Sequence, residues 1–215
     1  MYRVYQNIIE KATMDQNDFH GVVTIADLGN DRAEYANGLA ERVFEVPINT
    51  DTRFGIASGT KGFTAIRILQ LIEEGRIQLD TKVNDIIPGV FKNISDRVTI
   101  KHVLMHTSGM PDYFNEEEMD DFSVLWKDFP MYNVLSPKDL LPLFSDGQMR
   151  FEPGEKFEYN NGGFIALGLI IEKITGQALD HNIHNNVFKR AEMKSAGFDR
   201  LDALSHNSAG RLCQR

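Results

Sequence analysis

The residues with the clearest chemical potential are Ser58 and Lys61, which lie three positions apart in the stretch Ser-Gly-Thr-Lys. On a helix, this spacing places the serine hydroxyl and the lysine amine on one face, close enough to interact. A helix N-terminus also offers unpaired backbone N–H groups and a positive dipole, which stabilise an oxyanion. A lysine in a largely apolar setting loses hydration and can act as a base toward a serine. The pattern therefore predicts Ser58 as a nucleophile and Lys61 as its activator.

The same pattern also has a purely structural explanation. A serine that opens a helix is commonly an N-cap, and roughly one Ser-x-x-Lys is expected by chance in a chain of this length. The position of Ser58 favours the catalytic interpretation, because this serine directly precedes the most apolar helical stretch of the N-terminal half and follows a predicted hairpin.

A second candidate pair is Tyr159 and Asn161. The pattern Tyr-x-Asn has little value alone, since it also begins at Tyr5, Tyr35 and Tyr113. The pair at Tyr159 is the one that follows a Glu-Pro-Gly-Glu turn and immediately precedes an apolar helix. A tyrosine beside a cationic lysine can transfer protons, and an asparagine amide can hold a substrate carbonyl. This context distinguishes Tyr159 and Asn161 from the other three occurrences of the pattern.

The elements that must position these residues follow from apolar periodicity and turn residues. They are an opening helix over 2–14 and a hairpin over 20–40 with its turn at Gly29-Asn30-Asp31. A long helix over 58–74 and a helical block over 79–190 follow. Gly75 and Gly176 are predicted helix C-caps, and Thr99 and Ser136 are predicted N-caps. The 58–74 helix carries apolar residues on most of its circumference, which predicts burial on all sides.

Three segments resemble consecutive landmarks of the serine β-lactamase-like family: FGIASGTKGFTAIRILQLIEEGRIQLDTKVNDIIP, VTIKHVLMHTSGMPDY and FEPGEKFEYNNGGFIALGLIIEKITGQ. That family includes class C β-lactamases, penicillin-binding proteins of the D-alanyl-D-alanine carboxypeptidase type and related esterases. The resemblance covers about residues 21–198. It implies a β-lactamase/transpeptidase-like α/β (α+β) fold, in which an antiparallel sheet packs on helices and a mainly helical subdomain is inserted.

The resemblance also implies roles for the candidate residues. Ser58 would be the nucleophile of the family's Ser-x-x-Lys motif, and Lys61 its base or hydrogen-bond relay. Tyr159 would be a second general base or acid, and Asn161 a ligand of the substrate amide. The His-Thr-Ser-Gly turn at 106–109 matches a family landmark too, and we predict a structural role for it.

One part of the family pattern does not occur in this sequence. The family's third motif, Lys/His-Thr/Ser-Gly on a strand that lines the site, is not found, and the chain ends on the polar stretch RLDALSHNSAGRLCQR. We therefore expect a single β-lactamase-like domain over 1–215 that lacks its C-terminal strands. Within it, residues 1–75 would carry the first helix, the hairpin and the nucleophile helix, and residues 76–205 the helical subdomain. A complementing C-terminal segment would be a candidate partner.

Composition excludes several other classes of function. The net charge of −8 and the pI of about 5.2, without a basic cluster, argue against a nucleic-acid partner. The apolar stretch 164–171 is too short to span a bilayer, and the first residues do not form a secretory signal. We therefore expect either a cytoplasmic protein or one whose leader was removed before this numbering begins. The pairs His102/His106 and His181/His184 lack further ligands, so we predict no metal and no cofactor.

The function predicted from these features is acyl transfer through a covalent acyl-serine. Candidate substrates are a β-lactam, a D-alanyl peptide and a small ester. Two alternatives remain open at this point: a non-catalytic relative that binds acyl ligands, and an inactive truncated fragment.

Overall fold

A computed structural model describes residues 2–13, 19–27, 32–115, 119, 121–200 and 203–210. Residue contacts divide the chain into two compact units. The first consists of the described residues up to Ile56 together with 203–210, and the second of the described residues from Ala57 to 200. The four candidate site residues all belong to the second unit.

The first unit contains one helix and four strands: α1 (Tyr2–Thr13), β1 (Gly21–Ala26), β2 (Arg32–Asn37), β3 (Leu39–Glu41) and β4 (Val46–Pro47). β1 and β2 form an antiparallel ribbon in which Gly21 lies opposite Asn37 and Ala26 opposite Arg32. This confirms the predicted hairpin, whose turn at 29–31 lies outside the described residues. β3 and β4 form a second antiparallel ribbon. The sequence does not predict this ribbon, because its strands are too short to show an alternating pattern.

The second unit contains five α-helices: α2 (Thr60–Glu73), α3 (Val83–Ile86), α4 (Ile100–Leu104), α5 (Asn161–Thr175) and α6 (Leu179–Ile183). Four short 3-10 helices accompany them, at Ala57–Gly59, Phe122–Trp126, Met131–Asn133 and Pro137–Leu143. The helix predicted over 177–190 is α6 followed by a π-helical turn at His184–Phe188. Together, the two units give the predicted fold class, in which small antiparallel sheets accompany helices.

The core of the second unit lies between α2 and α5. Ile68 and Leu71 of α2 and Ile170 and Ile171 of α5 are fully buried in one apolar cluster. Each such side chain contributes about 1.5–3 kcal/mol relative to an exposed position. This packing holds the first turns of α2 and α5, which carry Lys61 and Asn161.

α2 is buried on one face only, so the prediction of burial on all sides is wrong. Ile66 and Leu69 are 44% and 52% exposed, whereas Ile68 and Leu71 are inaccessible. A polar side chain also contributes to the buried face, since the Arg67 Nε donates to the Asn182 Oδ1 at 2.7 Å and ties α2 to α6. Apolar residues around a helix therefore did not guarantee contact with the core.

The prediction of a mainly helical stretch over 76–205 is also wrong for its middle. Residues 105–160 contain only short 3-10 turns among their described positions, and five prolines lie between 111 and 153. Proline removes a helical donor and clashes with the preceding turn, so long helices cannot form there. Even Pro137–Leu143, correctly predicted to begin after Ser136, contains Pro142 and is a 3-10 helix.

The helix ends themselves follow the predicted capping residues. Thr99 caps α4 in a reciprocal box with His102. Gly75 and Gly176 follow α2 and α5 with φ of +71° and +69°, the left-handed region that favours glycine. The division into units differs from the predicted boundary after residue 75, because α2 packs against α5 and α6 and so groups with the helices.

Candidate active site

Ser58 and Lys61 are brought together at the start of α2. Ser58 lies in the 3-10 turn Ala57–Gly59 and is exposed, and Lys61 is half-buried in the first turn of the α-helix. The Lys61 Nζ donates to the Ser58 Oγ at 3.0 Å. A basic nitrogen within hydrogen-bonding distance of a serine hydroxyl is the arrangement that nucleophilic activation requires.

The N-cap explanation of Ser58 does not hold. Gly59 occupies the N-cap position of α2 and no side chain caps the helix, while the Thr60 hydroxyl donates back to the Ala57 carbonyl at 2.9 Å. The residue before the serine, Ala57, has a φ of +45°. Alanine in the left-handed region costs conformational energy, and such strain concentrates at functional sites.

Asn161 is the first residue of α5, and its side chain faces Lys61. The Lys61 Nζ donates to the Asn161 Oδ1 at 2.8 Å, although the two residues are 100 positions apart. The Asn161 Nδ2 in turn donates to the Phe114 carbonyl at 3.3 Å, and the side chain is buried. In this structure the Asn161 amide therefore orients the lysine amine that contacts Ser58.

Asp112, which the sequence did not single out, holds the start of α5. Its carboxylate accepts the backbone N–H groups of Asn161 at 2.6 Å and Gly162 at 2.8 Å, and also those of Tyr113 and Phe114. Burial raises the pKa of the Asp112 carboxyl, and these N–H donors oppose the rise because they favour the charged form. No local pattern could have identified Asp112, because the helix it caps begins 49 residues later.

Asp112→Ala is expected to lower the free energy of unfolding by about 1–3 kcal/mol, because buried N–H groups at the start of α5 lose their acceptor. The matched control is Asp146→Ala, whose carboxylate pairs with Lys92 Nζ on the surface, both side chains being 67% exposed. The control should change the unfolding free energy by less than about 0.5 kcal/mol. Urea denaturation of both variants measures the difference, and equal values would show that Asp112 is not a structural acceptor.

Tyr159 contributes its ring to the surroundings of Lys61. The Lys61 Nζ lies 4.9 Å from the centre of this ring, within the range of a cation–π contact. Tyr113, which begins the same Tyr-x-Asn pattern, packs its ring against Phe122 and Phe144. Lys61 thus contacts Ser58, Asn161 and the ring of Tyr159. Proton transfer by the Tyr159 hydroxyl stays a prediction.

The His-Thr-Ser-Gly turn supports the segment that carries Tyr159. Its backbone carbonyls accept N–H groups from that segment in order: Gly109 from Arg150, Thr107 from Gly154 and His106 from Glu158, at 2.8, 2.8 and 2.9 Å. The turn therefore aligns the approach to α5, as predicted for a structural landmark. The ring of His106 also contacts Tyr159 directly, since the two rings stack with centroids 4.6 Å apart.

Other features of the second unit lie apart from these residues. A cavity of about 330 Å³ is lined by Tyr132, Leu135, Ile165 and Phe198 among others, and by none of the four candidates. Among the described residues, no group of three or more His, Cys, Asp or Glu side chains could hold a metal ion. No single described helix has the length and apolar composition to cross a bilayer; α5 with the segment to Phe188 meets these criteria only as a pair bent by 78°.

The chain is similar to known proteins over most of its length. A family model described as Beta-lactamase matches residues 8–212. The chain is 32% identical over 181 residues to penicillin-binding protein 4* of Bacillus subtilis (strain 168), an alignment that covers 83% of this chain and 38% of that protein.

Solved structures agree with the sequence comparison. A penicillin binding protein from Bacillus halodurans superposes with a TM-score of 0.86 and 42% identity, covering 94% of this chain and 60% of that one. A D-stereospecific amidohydrolase from a Streptomyces species gives a TM-score of 0.68 and 31% identity, covering 90% and 55%. The chain thus spans less than two thirds of the length of each of these proteins.

Proposed function

This chain belongs to the beta-lactamase family, whose fold is that of serine hydrolases, and from this premise we propose that it transfers acyl groups through a covalent ester on Ser58. The observation that carries the proposal is the continuous contact from the Ser58 Oγ to the Lys61 Nζ and on to the Asn161 Oδ1, at 3.0 and 2.8 Å. The contact between Lys61 and Asn161 joins two helices whose residues are 100 positions apart in sequence, so this part of the arrangement is not a by-product of local helix geometry.

In the proposed first step, the Ser58 Oγ forms a bond to the substrate carbonyl carbon. The serine proton passes to Lys61, which acts as a neutral amine or as a relay, and the backbone N–H groups that open α2 stabilise the oxyanion. The bond from the carbonyl carbon to the leaving nitrogen or oxygen then breaks, Tyr159 delivers a proton to that atom, and Tyr159 regains a proton from Lys61. Water or an amine then attacks the ester, its proton passes through Lys61 to the Ser58 Oγ, and the bond from that oxygen to the acyl group breaks, which restores the serine hydroxyl.

The proposed substrates are carbonyl compounds with a nitrogen or oxygen leaving group: a β-lactam, a D-alanyl peptide or a small ester. The names of similar proteins support the first two, since they include penicillin-binding proteins and a D-stereospecific amidohydrolase. A buried asparagine amide beside the lysine adds a polar group that could hold the amide of such a substrate.

A second candidate function is binding of an acyl ligand without turnover, or no activity of this chain alone. The observation that favours it is coverage: the chain spans 38% of penicillin-binding protein 4* and 60% of the Bacillus halodurans protein. The Lys/His-Thr/Ser-Gly pattern that the family uses as its third motif is also not found in the sequence. Binding without turnover would need the Ser58 site to take up the ligand but form no ester.

Intact-protein mass spectrometry with a fluorescent penicillin distinguishes these functions. We expect a single adduct with the full mass of the penicillin, because ring opening adds the whole molecule to the serine. The adduct should decay over time as the ester is hydrolysed. Saturable fluorescence binding with no mass increase would instead support a binding protein. If neither a mass increase nor binding is found, both acyl transfer and ligand binding are contradicted, and the chain has no activity of its own toward penicillin.

A further inference from the structure

The imidazole of His106 occupies a central place among the candidate residues. Its ring lies between the rings of Tyr159 and Phe164, with centroids 4.6 and 5.1 Å away and interplanar angles of 25° and 28°. Such ring pairs stabilise a structure beyond the area that they bury. The ring therefore fixes the orientation of Tyr159 from one side.

His106 also holds the backbone on both sides of Tyr159. Its Nδ1 accepts the N–H of Asn160 at 3.0 Å, and its carbonyl accepts the N–H of Glu158 at 2.9 Å. Its φ of +56° is left-handed, a region in which histidine is enriched among non-glycine residues. One residue in a strained conformation thus contacts three successive residues of the segment that leads into α5.

The rings on both faces of His106 also flank Lys61. The Lys61 Nζ lies 4.9 Å from the centre of Tyr159 and 5.9 Å from that of Phe164. We propose that the neutral imidazole of His106 is a positioning residue that holds Tyr159 and the start of α5 against Lys61, an inference that rests on the proposed acyl transfer at Ser58.

The hydrogen bond from Asn160 requires that Nδ1 carry no proton. Protonation would set a ring N–H against the Asn160 N–H and place a second cation near Lys61. Burial first, and the Lys61 charge second, lower the pKa of His106 below its ordinary value of 6.5. His106 is therefore neutral above pH 6.5, and its positioning contacts are lost as the pH falls through its lowered pKa.

The groups that face His106 are few among the described residues. Phe164 and Phe157 carry no titratable group, and Tyr159 presents its phenol ring. The carboxylate of Glu158 is engaged by Arg150 and Lys156. Protonated His106 would thus be repelled by the positive charge of Lys61.

Amide hydrogen exchange tests the positioning contact without requiring activity. His106→Asn keeps an acceptor near Nδ1 and tolerates a left-handed φ, whereas His106→Phe keeps a ring and removes the acceptor. Exchange at the Asn160 N–H should accelerate about tenfold or more in His106→Phe, because this N–H loses its acceptor, and should stay near wild type in His106→Asn. The backbone N–H of Asn182 in α6 donates to the Ala178 carbonyl and serves as the reference. Its exchange rate should be the same in the wild type and in both variants.

Acylation by a fluorescent penicillin supplies the second readout. The wild-type rate should fall on acidification with a midpoint below pH 6.5, and this acidic limb should disappear in His106→Asn because asparagine does not titrate. The rate of His106→Asn at pH 8 should be about tenfold lower, reflecting a looser Tyr159. His102→Asn is the control, because the half-buried ring of His102 faces Thr99. This variant should keep the wild-type acylation rate and the decrease of that rate at acidic pH.

Three results would overturn the inference. The first is an exchange rate at the Asn160 N–H of His106→Phe that equals the wild-type rate. The second is an acidic limb that persists in His106→Asn, and the third is an equal loss of rate in His102→Asn. If the wild type forms no acyl adduct at any pH, the proposed acyl transfer fails, and the exchange experiment still decides whether His106 positions the segment.

Discussion

Ser58→Ala should abolish covalent labelling of the chain by a fluorescent penicillin and leave its stability almost unchanged. The Ser58 Oγ is the atom that would form the ester, so its removal leaves no acceptor for the acyl group. Ser58 is exposed and does not cap α2, so the free energy of unfolding should change by less than about 0.5 kcal/mol. Gel fluorescence and mass spectrometry measure the adduct, and urea denaturation measures stability.

Two other serines of the second unit serve as controls. Ser108→Ala removes a buried hydroxyl that accepts the Met110 N–H, and Ser136→Ala removes one that faces Asp139. Labelling should persist in both variants. Adduct that survives Ser58→Ala, or that peptide mapping places on Ser108 or Ser136, would contradict the assignment of the nucleophile.

Gly109→Ala should destabilise the chain by more than about 3 kcal/mol, a loss typical of severe backbone or packing defects. Gly109 has a φ of +66°, and a Cβ there would overlap the Phe151 carbonyl oxygen and lie 2.9 Å from its carbonyl carbon. Relief of that overlap would separate the 106–109 turn from the segment that carries Tyr159. Acylation should therefore be lost together with stability.

Gly176→Ala is the matched control for this prediction. Its φ of +69° is nearly the same, but nothing lies within 4 Å of a Cβ built on it. It should cost only about 1 kcal/mol, the penalty of an alanine in the left-handed region. Urea denaturation compares the two variants. If both lose about 1 kcal/mol, the close approach of Gly109 to Phe151 does not contribute to stability.

Local sequence was sufficient wherever the controlling interaction is local. Gly75 and Gly176 end their helices because glycine adopts the left-handed conformation that a C-cap needs, and Thr99 begins α4 through a box formed within four residues. The spacing of Ser58 and Lys61 likewise implies their contact, because one helical turn determines it. The resemblance added Tyr159 and Asn161, whose Tyr-x-Asn spacing has no value by itself.

Long-range packing decided the rest. The sequence could not show that Asp112 caps α5 or that the His106 ring stacks on Tyr159, because these partners lie about 50 positions apart. Periodicity could not show which face of α2 is buried either, because apolar residues surround this helix. Contact with α5 and α6 decides that Ile68 is buried and Leu69 is exposed. Spacing along one helix turn is set by the backbone, whereas the partner of a buried carboxylate or ring is set by how separate elements pack.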